Sequence, residues 1–225
     1  MEILKVNNLN KKYGKGENEF LALKNINLSI NKGEFVCITG KSGCGKSTLL
    51  HILSGLDSPT SGEIIINNQN IYKMKEKELT IFRRKNIGVI YQFYNLIPNL
   101  NVKENILLPV LLDKKDINSK RLNELIKTLG LTTKINSMPN DLSGGLQQRT
   151  AIGRALINRP KILFADEPTG NLDSKNSLKV MKLLEYYNKK HKQTIVMVTH
   201  DEYLARRCKR NIIMKDGKII NDIRK

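Results

Sequence analysis

The sequence predicts an α/β fold built on a largely parallel sheet. Three observations carry this: short runs rich in β-branched residues recur along the chain, helical stretches follow many of them, and 225 residues can bury a substantial core. The first segments, Glu2 to Val6 and Phe20 to Ile30, alternate apolar and polar residues and read as a half-exposed antiparallel sheet beside that core. Strand-like runs follow at Glu34 to Thr39, Glu63 to Ile66 and Ile87 to Tyr91, with a helical stretch at Lys46 to Ser54. From about Gln92 to Arg159 only helical patterns occur: Val102 to Leu112, Lys120 to Leu129, and Ser143 to Ile157, the last closed by Pro160. Alternation resumes with Ile162 to Ala165, a helix over Ser174 to His191, then Thr194 to Thr199 and Ile212 to Met214. The expected layout is one domain over 1–225. Residues 1–91 and 160–225 form the α/β core with its antiparallel β subdomain, and 92–159 an inserted helical subdomain.

Composition narrows the class. Hydrophobic residues at 40% and charged residues at 27% describe a folded globular chain and exclude disordered or fibrous ones. The formal charge of +18 calls for an anionic partner or marks a Lys-rich solvated surface that favours an anionic membrane leaflet. The longest nearly unbroken apolar stretch, Ile106 to Leu112, contains Pro109 and falls far short of the roughly 20 residues of a membrane-spanning helix. The N-terminus lacks the order of a secretory signal, so the protein is expected to stay in the cytosol. Cys37, Cys44 and Cys208 are odd in number and lack Cys-x-x-Cys spacing; neither a disulfide framework nor a zinc site is indicated, and all three are expected reduced.

The sharpest chemical signal is Gly40-Lys41-Ser42-Gly43-Cys44-Gly45-Lys46-Ser47-Thr48. It matches the P-loop pattern in its required context, after a strand and at the start of a helix, where backbone N–H groups converge on phosphates. Lys46 is expected to neutralise the β and γ phosphates, and Ser47 to place a hydroxyl on Mg²⁺. The second signal is the apolar run Ile162 to Ala165 ending in Asp166-Glu167. Asp166 is expected in the Mg²⁺ shell, and Glu167 to orient or deprotonate an attacking water. The third is Leu142-Ser143-Gly144-Gly145 at the head of a helix. Ser143 alone reads as an N-cap, but two glycines in a first turn destabilise it unless something approaches the backbone closely, and an anion is the natural candidate.

The P-loop, Gln92 after its strand, the Leu-Ser-Gly-Gly segment, Asp166-Glu167, Asn171-Leu172-Asp173 and His200 stand in the order and spacing of an ABC-transporter nucleotide-binding subunit, which the whole chain resembles. The resemblance implies a P-loop NTPase core and ATP hydrolysis with Mg²⁺. It also implies two subunits that sandwich two ATP molecules, each site combining one chain's P-loop with the other's Ser143, Gly144 and Gly145. It makes Tyr13 the aromatic that stacks on adenine and Gln92 the link between Mg²⁺, attacking water and a membrane permease. Asp173 becomes the aspartate that crosses the dimer interface, and His200 the residue that contacts the γ-phosphate and holds the attacking water. Leu146 departs from the Gln usual after the second glycine and is expected to change side-chain contacts only. His51 and His191 match no motif and are assigned to packing and to solvent.

Finer resemblances point to the bacterial group serving macrolide efflux, lipoprotein release and antimicrobial-peptide resistance. They lie in Gly16 to Glu19, Ala22 to Ile26, Tyr91 to Pro98, Glu104 to Pro109 and Ala165 to Ser174. The expected partners are a second copy and a transmembrane permease at the cytoplasmic face of the membrane, with no specific nucleic acid. The alternatives are an importer or cell-division-type ATPase, or a soluble nucleic-acid-associated ABC ATPase. No coiled-coil insertion separates Gly40 from Leu142 and the chain carries one cassette, both unlike the nucleic-acid class. Phe93, Tyr94, Leu96, Ile97 and Leu100, broken by Pro98, form either a docking surface for the permease or the core of the helical subdomain.

Overall fold

Two sheets are stacked by the alternation of their apolar side chains, in a computed structural model that describes residues 1–225. The smaller, antiparallel sheet contains β1 (Glu2–Tyr13), β2 (Phe20–Asn31), β4 (Ser61–Ile66) and β5 (Gln69–Asn70) in the order β2-β1-β4-β5. The larger contains β3 (Phe35–Thr39), β6 (Ile87–Ile90), β7 (Ile162–Asp166), β8 (Thr194–Val198), β9 (Arg210–Lys215) and β10 (Lys218–Arg224) in the order β10-β9-β3-β8-β7-β6. Five of its strands run parallel, and only β10 is antiparallel to its neighbour. Seven helices complete the chain: α1 (Lys46–Leu53), α2 (Glu76–Asn86), α3 (Val102–Leu112), α4 (Ser119–Leu129), α5 (Gly144–Leu156), α6 (Ser174–His191) and α7 (Glu202–Ala205).

The central strands are apolar on both faces because both are covered. Val36 and Ile38 of β3, with Phe164 of β7 and Val196 of β8, face a core shared with α1 and the antiparallel sheet. Phe35, Cys37, Leu163 and Met197 face a second core filled by α3, α4, α5 and α6. This is why a parallel sheet reads as continuous hydrophobic runs. The helical insert therefore has no separate core, since its buried Ile106, Leu125 and Ile152 join the sheet's own cluster. All three cysteines are free and buried.

The structure departs from the sequence reading at several elements. The strand Glu63 to Ile66 belongs to the antiparallel sheet, pairing with β1, and takes no part in the parallel alternation. Strand β1 runs on to Tyr13 through register shifts between Val6 and Leu9 and around Lys11, which break the period of two and hide its second half. Helix α2 buries only Phe82, and β10 leaves most of its residues exposed, so neither has the apolar face that makes an element visible in sequence.

Parallel strands bring their C-terminal ends to one edge of the sheet. The residues after β3, β6, β7 and β8 are Gly40, Tyr91-Gln92, Glu167 and Thr199-His200, so four stretches far apart in sequence meet at the rim where open α/β sheets bind ligands.

Candidate functional site

The P-loop connects β3 to α1, and its glycines answer a steric demand. Gly45 caps α1 with φ +99°, and a Cβ there would fall 2.7 Å from the carbonyl oxygen of Ala22. No side chain caps α1, so the N–H groups of its first turn stay available to an anion. Lys46 is buried, and its Nζ donates to the carbonyls of Gly40 and Lys41, each at 2.9 Å, which folds the loop around its own ammonium. Cys44 turns its thiol inward, 4.0 Å from Lys46 Nζ, leaving only its backbone to serve the loop.

Ser47, on the first turn of α1, donates from Oγ to Asp166 Oδ1 at 3.0 Å. A hydroxyl and a carboxylate side by side are hard oxygen donors that fit Mg²⁺, which keeps water and substrate phosphate for the rest of its shell. His51 lies one turn beyond Ser47 and places Nε2 3.3 Å from Asp166 Oδ2. It is therefore at the site and is not the packing residue the sequence suggested. The hydrogen bond to Asp166 raises its pKa, against the lowering effect of burial. Spacing of four on a helix was the available signal. His191 is exposed and stacks on Tyr187, with centroids 5.3 Å apart.

Glu167 follows Asp166 with φ +43°, and its Oε2 lies 2.9 Å from His200 Nδ1. Two residues expected to act on the attacking water thus already share a hydrogen bond. Gln92 exchanges bonds with Asn171, Nε2 to Oδ1 at 3.4 Å and Asn171 Nδ2 to the Gln92 carbonyl at 3.1 Å, and it does not join the Ser47–Asp166 pair. Asp173 is exposed and caps α6, accepting from the Asn176 N–H at 2.9 Å, a bond that lowers its pKa.

A cleft of about 700 Å³ runs beside the loop, lined by Tyr13, Phe20, Lys24, Ser42, Gly43, Gly45 to Thr48, and Glu167. Tyr13 is fixed at its mouth. Its hydroxyl donates to Asp57 Oδ2 at 2.6 Å, its ring centroid is 5.7 Å from that of Phe20, and Lys11 Nζ is 4.7 Å from its centroid. Burial, then the bond to Asp57, raises the Tyr13 pKa. Asp57 is held below its ordinary value because bonds from Lys11 and Tyr13 outweigh its burial. Neither Asp57 nor Phe20 carries a sequence motif, and only the fold reveals them. Ser143, Gly144 and Gly145 do not line this cleft. Ser143 stands at the N-cap position of α5 as the sequence suggested, but its side chain is exposed and makes no capping bond. Leu146 is half-buried against the helical core.

An ABC transporter family profile matches residues 23–170. An uncharacterized ABC transporter ATP-binding protein of Methanocaldococcus jannaschii is 50% identical over 225 residues, covering 99% of this chain and all of that one. The bacitracin export ATP-binding protein BceA of Halalkalibacterium halodurans is 44% identical over 227 residues, covering all of this chain and 90% of that one. Among solved structures, a dimeric post-hydrolysis ATP-binding cassette bound to ADP and Pi superposes with a TM-score of 0.91 at 44% identity, over 99% of this chain and 98% of that one. With its phosphate loop, paired carboxylates and apposed histidine on one sheet edge, the chain belongs to the ABC transporter ATP-binding family and is an ATPase.

Proposed function

We propose that two copies of this chain close head to tail around two ATP molecules and drive a membrane permease, on the cytoplasmic face, as an export or mechanotransmission system. One observation carries the reading. The cleft holds the P-loop, Tyr13 and Glu167 but lacks the Ser143 segment, whose hydroxyl is exposed and unbonded, so each chain offers two complementary half-sites. In this reading the site residues keep the roles given above, and residues 1–91 with 160–225 act as core against the 92–159 insert. Ser47 and Asp166 would hold Mg²⁺, which would supply charge neutralisation at the phosphates. Glu167 accepts the proton of the attacking water while His200 holds Glu167 and the γ-phosphate side in register. The similarity to BceA supports a peptide-antibiotic system over the macrolide and lipoprotein ones.

The test is Glu167→Gln. It removes the base and leaves the phosphate cradle, so with ATP and Mg²⁺ the variant elutes as a dimer in gel filtration and shows no turnover. A variant that stays monomeric at high protein concentration, or hydrolyses at the parental rate, refutes the reading. For the export assignment, co-expression with a permease that it binds should confer resistance to a peptide antibiotic, and Glu167→Gln should abolish it.

A further inference from the structure

Gln148 lies on α5, one turn past Gly144 and Gly145, and is 0% exposed. A buried primary amide is costly to leave unpaired, so the fate of its donors matters. Its Nε2 donates to two backbone carbonyls, that of Tyr91 at 3.3 Å and that of Pro168 at 2.5 Å. Neither carbonyl accepts from a backbone N–H, so Gln148 is the sole protein donor to both. Its Oε1, in contrast, is buried with no partner. The reversed amide would set an oxygen against two carbonyl oxygens, which fixes the orientation. An apolar side chain of the same size would leave no such orphan, so packing does not account for an amide here.

The two carbonyls are linked by their place in the chain. Tyr91 immediately precedes Gln92, and Pro168 immediately follows Glu167, at the ends of β6 and β7, which are neighbours through the pair Ile90 and Ala165. Glu167 itself holds a left-handed backbone, which a non-glycine residue keeps only where its surroundings determine it. The side chain bracketing both segments belongs to the helix that opens with the Ser143 segment. We propose that Gln148 is a positioning residue for hydrolysis. It locks the backbone on either side of Gln92 and Glu167 to the head of α5. A shift of the Ser143 segment, on meeting the second subunit's nucleotide, is thereby felt at this subunit's own Glu167. The proposal rests on the reading of Glu167 and Ser143 given above.

The experiment uses the full chain with Gln148→Leu and Gln148→Met, both of similar length and unable to donate. Steady-state kinetics, thermal unfolding, and ATP-driven dimerisation in the Glu167→Gln background are compared. Misplacing the reacting groups should lower kcat by about 10- to 100-fold. KM for ATP should stay close to the parent, Tm should fall by only the few degrees that two carbonyls without their donor cost, and both double variants should still dimerise with ATP. Parental kcat in the soluble single variants overturns the proposal. So does a joint loss of kcat, ATP affinity and Tm, or the failure of both variants to fold, because each assigns Gln148 a merely structural role. If Glu167→Gln alone keeps the parental rate, the reading of Glu167 falls and this role falls with it. If Glu167→Gln is inactive while the Gln148 variants are normal, only the role of Gln148 is lost.

Discussion

At the scale of single residues, Lys46 and Tyr13 divide the nucleotide between them. Lys46 Nζ braces the carbonyls of Gly40 and Lys41, so Lys46→Ala removes a loop brace together with a phosphate partner. A hydrogen bond to a charged group contributes about 1.5–3 kcal/mol, so ATP affinity should fall roughly 10- to 100-fold. Calorimetric titration with ATP measures this, and unchanged affinity would contradict it. Tyr13 is held by Asp57 at its hydroxyl and has the Phe20 ring tilted beside it. Tyr13→Ala should weaken ATP roughly 3- to 10-fold, as the loss of one aromatic stack does. Inorganic triphosphate should bind as before, and the preference over GTP should level. Tyr13→Phe keeps the ring and should keep the preference. Equal losses for ATP and the base-free triphosphate would take Tyr13 out of the adenine site.

At the scale of elements, one buried cation ties the β9–β10 hairpin to the ends of β2 and β3. Arg210 is 4% exposed and reaches both oxygens of Asp222, at 2.8 and 2.7 Å, Glu34 Oε2 at 2.8 Å and the Ser29 carbonyl at 2.7 Å. The Arg210 bond holds Asp222 below its ordinary 3.8, and bonds from Asn31 and Arg210 outweigh burial to hold Glu34 below its ordinary 4.5. Carboxylates with depressed folded pKa values stabilise the fold above the ordinary values, and that stability is lost as pH falls through the lower folded ones. Arg210→Met should therefore flatten the acid branch of stability. At neutral pH it should cost less than the roughly 3–5 kcal/mol of a broken buried pair, because both carboxylates keep some contact with water. Urea denaturation across pH 7 to 3 checks both; a parental acid branch in the variant would show that the clamp does not govern it.

At the scale of the whole molecule, the aromatic loop after Gln92 presents an outward surface. Phe93 is 72% and Ile97 42% exposed, and neither joins a core cluster, so the alternative of a subdomain core fails for them. Tyr94 and Asn95 hold left-handed backbones, and Arg154 of α5 clamps their carbonyls at 2.8 and 2.6 Å. The loop is thus fixed to the helix that carries the Ser143 segment while its apolar tip stays free. Tyr94 also reaches the Asn171 carbonyl at 3.4 Å, so it is a poor place to test docking. Phe93→Asp should abolish co-purification with the permease and leave the isolated protein's circular dichroism and basal ATPase unchanged. Retained co-purification with normal stimulated ATPase would remove the docking role.

The local devices are legible in the order of the amino acids alone. A phosphate loop, a strand ending in two carboxylates and a helix opening on two glycines are each written within a few consecutive residues, because their geometry follows from backbone freedom and spacing. The α/β class was equally legible, since strands covered on both faces must be apolar throughout. The tertiary structure decided what those devices touch. The placement of His51 on Asp166, Asp57 under Tyr13 and Gln148 between Tyr91 and Pro168 depends on how helices pack on the sheet edge, and those partners lie far apart in the chain. The sheet to which Glu63 to Ile66 belongs was likewise decided by pairing with β1, because β-branched content favours a strand without choosing its neighbour.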